Sequence, residues 1–495
     1  MRWIFWLYFV NTVLMLVVAI REARRPAQAL TWLTVGFVLP ILGFVGYLIT
    51  SNPLRIRRER LTSPYNESDK LPDSFSRSSS VIAHSLRQFS VHGLKTSRVQ
   101  VLTNGSETFA TLMESLHNAQ RTIDLEYYIF RHDGIGSRMT ELLIERAREG
   151  VRIRFIRDGW ASRKFPRSEI ARMMDAGIEC RTMFPLRFPW VLSTLNYRDH
   201  CKIVVIDGRE AFTGGINAGD EYLGLNPNIG FWRDTHLRIV GEVQSDLQDI
   251  FDAHWKIASP ERVLLRRGSE RAQYRLRNIE APIAAHSRLS TAWNTEIATF
   301  GGTSETELST ERPYAYVQTL EGNPEIPTQI VRQAYFTCVT QADKTIDITT
   351  PYFIPDADII MAIKTAVARG VRVRLLVPHR VVPGVVGPAS RTYYGELVEA
   401  GVHIYLYDKG MLHAKVMTID GELSIVGAAN YDMRSFRLDY EVCEVVYNVD
   451  VARGLTEQFN RDVSNSIPLR IEDLQRRSVP QRIREQAARL LSPLL

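Results

Sequence analysis

His200-Cys201-Lys202-Ile203-Val204-Val205-Ile206-Asp207 and His413-Ala414-Lys415-Val416-Met417-Thr418-Ile419-Asp420 have the same spacing, His-x-Lys-x-x-x-x-Asp, and start 213 residues apart (413 − 200). At ordinary composition a given His is followed by this Lys and Asp with a chance of roughly one in a thousand. The chain has only eleven histidines, so two accidental matches are not expected. Each match leads into a second repeated piece, Gly214-Gly215-Ile216-Asn217 and Gly427-Ala428-Ala429-Asn430, with each Asn 17 residues beyond its His. Alternate residues of a strand share a face, so His200, Lys202, Val204 and Ile206 are predicted to point together, as are His413, Lys415, Met417 and Ile419. His and Lys would then emerge side by side.

The duplication reaches beyond these motifs. Thr122-Ile123-Asp124-Leu125 resembles Thr345-Ile346-Asp347-Ile348, Gly150-Val151-Arg152 matches Gly370-Val371-Arg372, and Asp175-Ala176-Gly177 is close to Glu399-Ala400-Gly401. The offset is 223, 220 and 224 residues in these pairs and 213 at the histidines, so the first copy holds about 11 extra residues before His200 (224 − 213). They fall in the aromatic and basic stretch RTMFPLRFPWVLSTLNYRD. Its segment from Phe184 to Trp190 reads equally as a loop packed on the body and as one dipping into a membrane interface.

Each copy reads as strand (Ile123–Phe130; Ile346–Ile354), helix (Arg138–Arg148; Ile359–Ala368) and strand (Val151–Ile156; Val371–Val377), with a further helix before Gly177 and Gly401. Short β-branched runs bounded by Gly and alternating with amphipathic helices predict an α/β fold: two related lobes, each a mixed β-sheet flanked by helices. The expected units are 1–52, 53–95, 96–290, 291–312 and 313–495: an apolar front, a basic and polar linker, the first lobe, an inter-lobe linker, and the second lobe with a C-terminal helix over Leu474–Leu495.

A chain of 495 residues exceeds one ordinary core. Its 45% hydrophobic and 23% charged content is that of a folded protein. The net charge of +6 suits nucleic acid or anionic lipid and does not separate them. Cys180, Cys201, Cys338 and Cys443 include no CxxC pair and carry no zinc or disulfide signature.

The front favours lipid. Trp3 to Ile20 and Leu30 to Ile49 are apolar runs, each long enough at about 1.5 Å per residue to cross a bilayer core as a helix. Gly36, Gly43 and Gly46 would let the two helices approach closely, and Pro40 is expected to kink the second. A cleaved signal peptide fits less well, because Arg21-Glu22-Ala23-Arg24-Arg25 offers no small-x-small site. The expectation is an integral two-helix transmembrane hairpin, with Arg2, Arg55, Arg57, Arg58 and Arg60 placing both the N-terminus and the body in the cytoplasm. Residues 61–80 read as a polar tether.

These residues are similar to the phospholipase D superfamily, whose hallmark is the duplicated HxKxxxxD followed by a Gly-rich piece and Asn. With the front hairpin, LEYYIFRHDGIG, WRDTHLRIVG, TPYFIPD, NYDMRSFRLDYEV and LLSPLL, nearly the whole chain resembles the bacterial cardiolipin synthases of that superfamily. Cys201 departs from the pattern, where a basic residue is usual, and so does Ala428, where Ser or Thr is frequent. The resemblance implies two phospholipase D-type lobes, a plasma-membrane location and a transfer between lipids. One phosphatidylglycerol would give its phosphatidyl group to a second, yielding cardiolipin and glycerol.

In that scheme His200 is the nucleophile and His413 the general acid and base. Lys202, Lys415, Asn217 and Asn430 hold the phosphate oxygens, and no metal or other cofactor is expected. Aligned with the family pattern, Asp234 is the expected acceptor that orients His200, and Glu441 the one for His413, with Glu444 a weaker competitor for the latter role. Asp207 and Asp420 belong to the catalytic motif but are expected to hold a turn or pair across lobes. The expected partners are phosphatidylglycerol and anionic membrane lipid, not nucleic acid. Hydrolysis to phosphatidic acid and transfer to another small alcohol are the near alternatives; a nuclease and a non-catalytic scaffold fit the anchor and the intact motifs less well.

Overall fold

The computed structural model describes residues 2–21, 26–50, 71–185, 197–227, 229–261, 314–325, 328–380, 384 and 386–490. Outside them lie the linker 291–312, the first half of the 61–80 tether, the aromatic insert from 186 to 196, the basic residues at 55–60 and the last five residues.

The front forms α1 (Arg2–Arg21), α2 (Pro26–Val38) and α3 (Leu42–Thr50). The expected second span is therefore two helices, of 13 and 9 residues, divided at Leu39–Ile41, where Ile41 has φ +63°. Pro40 has no N–H to give the Gly36 carbonyl one turn back. Asn11 of α1 supplies it instead: its Nδ2 donates to Gly36 O at 3.0 Å, and its Oδ1 accepts from Ile41 N–H at 2.9 Å. One polar residue in an apolar run thus repairs the break. Among the described residues no helix is long and apolar enough to cross a membrane.

Helix α4 (Arg77–Phe89) corrects the reading of 53–95 as linker. Ser76 caps it by accepting from Ser79 N–H at 3.2 Å. Its buried Ile82, Ala83 and Leu86 pack into the core of the second lobe.

In the first lobe the strands are β1 (Leu94–Thr103), β2 (Thr122–Tyr127), β3 (Arg152–Asp158), β4 (Glu179–Met183), β5 (Arg198–Asp199), β6 (Lys202–Ile206), β7 (Glu210–Gly214), β8 (Phe231–Arg233), β9 (Thr235–Gly241) and β10 (Ser259–Pro260). Its helices are α5 (Asn104–His117), α6 (Gly134–Arg148), α7 (Arg167–Asp175) and α8 (Gln244–Ile257). In the second lobe the strands are β11 (Tyr314–Gly322), β12 (Thr345–Thr349), β13 (Phe353–Ile354), β14 (Arg372–Pro378), β15 (His403–Tyr407), β16 (Gly410–Leu412), β17 (Val416–Ile419), β18 (Leu423–Gly427), β19 (Tyr431–Asp432), β20 (Asp439–Tyr447) and β21 (Ser466–Pro468). The helices are α9 (Ile330–Gln341), α10 (Ala357–Ala368), α11 (Val386–Glu399), α12 (Met433–Arg437), α13 (Val449–Ser464), α14 (Ile471–Gln475) and α15 (Val479–Leu490).

The two sheets are one ladder. It runs β10-β4-β3-β2-β6-β7-β9-β1 through the first lobe. It crosses at the antiparallel β1–β11 pair, Ser97 opposite Ala315. It continues β11-β20-β18-β17-β12-β14-β15-β21. Each strand of one half has its counterpart at the same distance from the crossing, so the halves are related by an approximate two-fold. The β2–β3–β4 and β12–β14–β15 runs are parallel, which is why a helix intervenes at each step.

Central β6 is buried on both sides. Val204 and Ile206 pack with Leu125 and Phe212, whereas Ile203 and Val205 pack with Leu247 and Val442. Near-continuous apolar sequence is what such a strand requires. The expected strand Ile123–Phe130 ends early, at Tyr127, because Ile129 and Phe130 give their N–H groups to Asn217 Oδ1 and Ser162 Oγ. The expected C-terminal helix is two, α14 and α15. Arg477 meets Glu485 at 2.8 Å, and Arg489 lies 4.6 Å over the Tyr393 ring of α11.

Candidate active site

The histidines sit just before strands, not on them: β6 begins at Lys202 and β17 at Val416. Each is held by the opposite lobe. Strand β16 pairs in parallel with β8, and His413 N–H donates to Arg233 O at 2.7 Å. Strand β5 pairs in parallel with β20, and His200 N–H donates to Tyr440 O at 2.9 Å. The next residues, Asp234 and Glu441, carry the carboxylates. His413 Nδ1 lies 2.7 Å from Asp234 Oδ2, and His200 Nδ1 lies 3.0 Å from both oxygens of Glu441. The expected acceptors are both present, with the assignment exchanged: Glu441 serves His200 and Asp234 serves His413. The exchange follows from the two inter-lobe strand pairs. Glu444 is not at the centre; it accepts from Thr319 Oγ1 at 2.9 Å.

The supporting contacts differ between the pairs. Asp234 also accepts from Thr235 N–H at 2.8 Å and from Trp232 Nε1 at 3.4 Å. Gly215 makes room for it, since a Cβ there would stand 2.0 Å from Asp234 Oδ1. Glu441 is held by the Ser435 side chain. Burial pushes Asp234 upward, but His413, Lys415 and the Thr235 N–H outweigh it and hold the carboxyl below its ordinary range. Burial, with Lys415, presses His413 down to about 3. Burial and the two lysines also press His200 well down, and burial lifts Glu441 to about 8. Each pair therefore holds a neutral imidazole at neutral pH. The Asp234 carboxylate on His413 Nδ1 fixes that ring's tautomer, and Glu441 does the same for His200 when it is ionised, leaving Nε2 as the reactive nitrogen.

Lys202 and Lys415 are 1% and 2% exposed. Each ammonium donates to the carbonyl of its own histidine, Lys202 at 2.5 Å. Burial lowers both, Lys415 to about 7. A bound phosphate anion would favour the charged forms, so the lysines match the anion more than they match each other.

The amides are less alike. Asn217 Oδ1 accepts from Ile129 N–H at 3.0 Å and its Nδ2 donates to Tyr222 Oη at 2.7 Å. The side chain thus holds the β2 exit and Tyr222 and leaves one Nδ2 hydrogen for another acceptor. Asn430 Oδ1 is buried without a hydrogen-bond partner, and its amide serves Asp432.

Sequence reasoning missed the aromatic walls. Tyr128 meets the His200 ring edge-on at 4.8 Å and lies 5.3 Å from Lys202 Nζ. Trp232 and Tyr222 lie 5.2 and 6.3 Å from the His413 ring. Tyr128 and Trp232 are in the quoted LEYYIF and WRDTH stretches, but nothing in their spacing marks them.

Asp207 and Asp420 stand at the ends of β6 and β17 away from the histidines, each in a turn. Both adopt left-handed φ, +53° and +54°, and each is followed by a left-handed Gly, a tight-turn pattern. The Asp207 carboxylate accepts from the N–H groups of Gln120, Arg121 and Thr122, and Asp420 from those of Asp343, Lys344 and Thr345. Neither pairs across lobes. Asp207→Ala and Asp420→Ala are each expected to cost about 1–2 kcal/mol of stability, seen as a lowered Tm, while turnover stays within a few-fold. A collapse of turnover with unchanged Tm would return them to the chemistry.

Two histidine–lysine pairs, reciprocally oriented across a two-fold ladder, define a duplicated phospholipase D-type enzyme. A family model described as "Cardiolipin synthase, PLD-like domain" matches residues 112–255 and 335–463, and one described as "Phospholipase_D-nuclease N-terminal" matches 12–52. A cardiolipin synthase of Geobacillus kaustophilus is 38% identical over 489 residues, covering 96% of this chain and 90% of that protein. Cardiolipin synthase 2 of Bacillus anthracis is 37% identical, covering 96% and 88%. A solved phosphatidylserine synthase from Haemophilus influenzae shares the fold, with a TM-score of 0.58 at 15% identity over 80% of this chain and 95% of that one. The chain belongs to the cardiolipin synthase family.

Proposed function

We propose that the chain joins two phosphatidylglycerol molecules into cardiolipin, releasing glycerol, through a phosphohistidine on His200. The observation that carries this is the crossed pair of oriented histidines, each within the electrostatic reach of both lysines. His200 Nε2 attacks phosphorus and the bond to the glycerol headgroup breaks, with His413, which the bound phosphodiester anion and Asp234 hold as the imidazolium, giving its Nε2 proton to the departing oxygen. His413 then takes the proton of a glycerol hydroxyl on the second phosphatidylglycerol. That oxygen attacks phosphorus and the P–N bond breaks, which restores His200. Lys202 and Lys415 hold the non-bridging oxygens as negative charge gathers.

The substrates are lipids, and we read the front as an integral anchor in a bacterial plasma membrane with the body on the cytoplasmic side. Trp3, Trp6, Leu16, Phe37 and Leu42 are each at least 60% exposed, an apolar surface that lipid would cover. The test is mass spectrometry of products after purified protein is given phosphatidylglycerol alone. Cardiolipin and glycerol in equal amounts are expected. Phosphatidic acid alone would overturn the reading and make water the acceptor.

A further inference from the structure

The residues flanking His200 belong to a second cluster. One ligand-capable atom from each of Glu126, Asp199, Cys201 and His254 lies within 4.8 Å of the others, and all four residues are fully buried. They come from β2, β5, the link into β6, and α8. His254 Nδ1 lies 2.6 Å from Glu126 Oε1, and Asp199 Oδ1 accepts from Cys201 N–H at 3.2 Å. Glu126 Oε2 and Asp199 Oδ2 are buried there with no hydrogen-bond partner. The Glu126 and Asp199 carboxyl groups also face each other within hydrogen-bonding reach, an arrangement two buried carboxyls adopt only with a proton or a cation between them.

The second lobe provides an internal control. By ladder register Glu126 corresponds to Thr349, and by distance from the histidines Asp199 and Cys201 correspond to Leu412 and Ala414. The matching arginines, Arg154 with Asp252 and Arg374 with Asn460, align His254 with Asp462. Of these four only Asp462 is ionisable, and Arg233 neutralises it at 2.7 Å. The architecture therefore does not need the donor set of the first lobe.

We propose that Glu126, Asp199, Cys201 and His254 bind one divalent ion of the zinc class. One thiolate sulfur, one imidazole nitrogen and two carboxylate oxygens are a four-coordinate zinc donor set, whereas magnesium and calcium prefer oxygen alone. Glu321 Oε1 lies 3.9 Å from His254 Nε2, on the ring nitrogen away from Glu126. The ion would tie β2 and α8 to the segment that carries His200. It is a structural centre, separate from the phosphodiester chemistry and independent of the lipid substrate.

Full-length protein in detergent, equilibrated with zinc chloride and passed through gel filtration, is expected to retain about one zinc per chain. Cobalt in its place should give a thiolate-to-cobalt charge-transfer band in the near ultraviolet. Cys201→Ser should lose that band and Cys201→Ala or His254→Ala most of the zinc, while Cys180→Ala, which removes a buried thiol outside the cluster, should lose neither. Wild-type protein that retains no zinc overturns the proposal whatever the variants do. Retention unchanged in both Cys201→Ala and His254→Ala overturns it equally.

Discussion

Replacement of His200 by Ala is expected to lower cardiolipin formation from phosphatidylglycerol by at least about 10⁴-fold. The effect is large because the covalent route disappears. The phosphodiester is an anion with a poor leaving group, and without a nitrogen nucleophile the exchange needs direct attack by a second anionic lipid. Phosphatidylglycerol labelled in its phosphate should leave label on wild-type protein after an alkaline quench, where phosphohistidine survives, and none on His200→Ala. In His413→Ala the same lost turnover is expected with a different signature. The nucleophile remains but its leaving group is unprotonated, so labelling is slowed and not removed. Equal labelling of wild type and His200→Ala would transfer the nucleophile's role to His413.

The second large effect concerns the carboxylates. Glu441→Gln places an amide against His200 Nδ1. If the amide NH₂ faces the ring it donates, forcing the proton onto Nε2 and blocking the lone pair that must attack. A fall of about 10²- to 10⁴-fold is expected, all of it in formation of the labelled intermediate. Asp234→Asn should reduce turnover by a similar factor through His413, while the label still appears. Circular dichroism and Tm check that both variants fold. The exchanged pairing makes the outcome diagnostic: had each lobe oriented its own histidine, the two phenotypes would be reversed.

The chemistry of this centre was legible in sequence because spacing carries it. His-x-Lys leaves one group next to the other wherever the segment folds, and a repeat at matched offsets argues against chance. The alternation of strands and helices within each lobe was legible as well, since β-branched runs alternate with amphipathic segments. What escaped was everything set by long-range pairing. No local pattern says that β16 joins β8 or that β5 joins β20, so the carboxylate assignment came out exchanged. The contacts of Asn217 with the end of β2 and with Tyr222 do not show in its motif spacing. Helix α4 looked like tether because its polar face dominates, and its three buried apolar residues show their role only against the second lobe. Cys201 carried no zinc signature because the neighbouring donors at 126, 199 and 254 meet it only in space. The anchor was read as two spans; Pro40 and the Asn11 contacts instead divide the second run.

The bond between His200 and Glu441 spans 241 residues of chain. During synthesis at roughly 5–20 residues per second, some 10–50 seconds separate the emergence of the nucleophile from that of the group that arms it. Over that interval the first lobe can collect its hydrophobic core, but its histidine has no acceptor and the β5 edge no neighbour. The nascent enzyme is therefore inert toward phospholipid. Reactivity arrives all at once, when the last strands of the second lobe close the ladder.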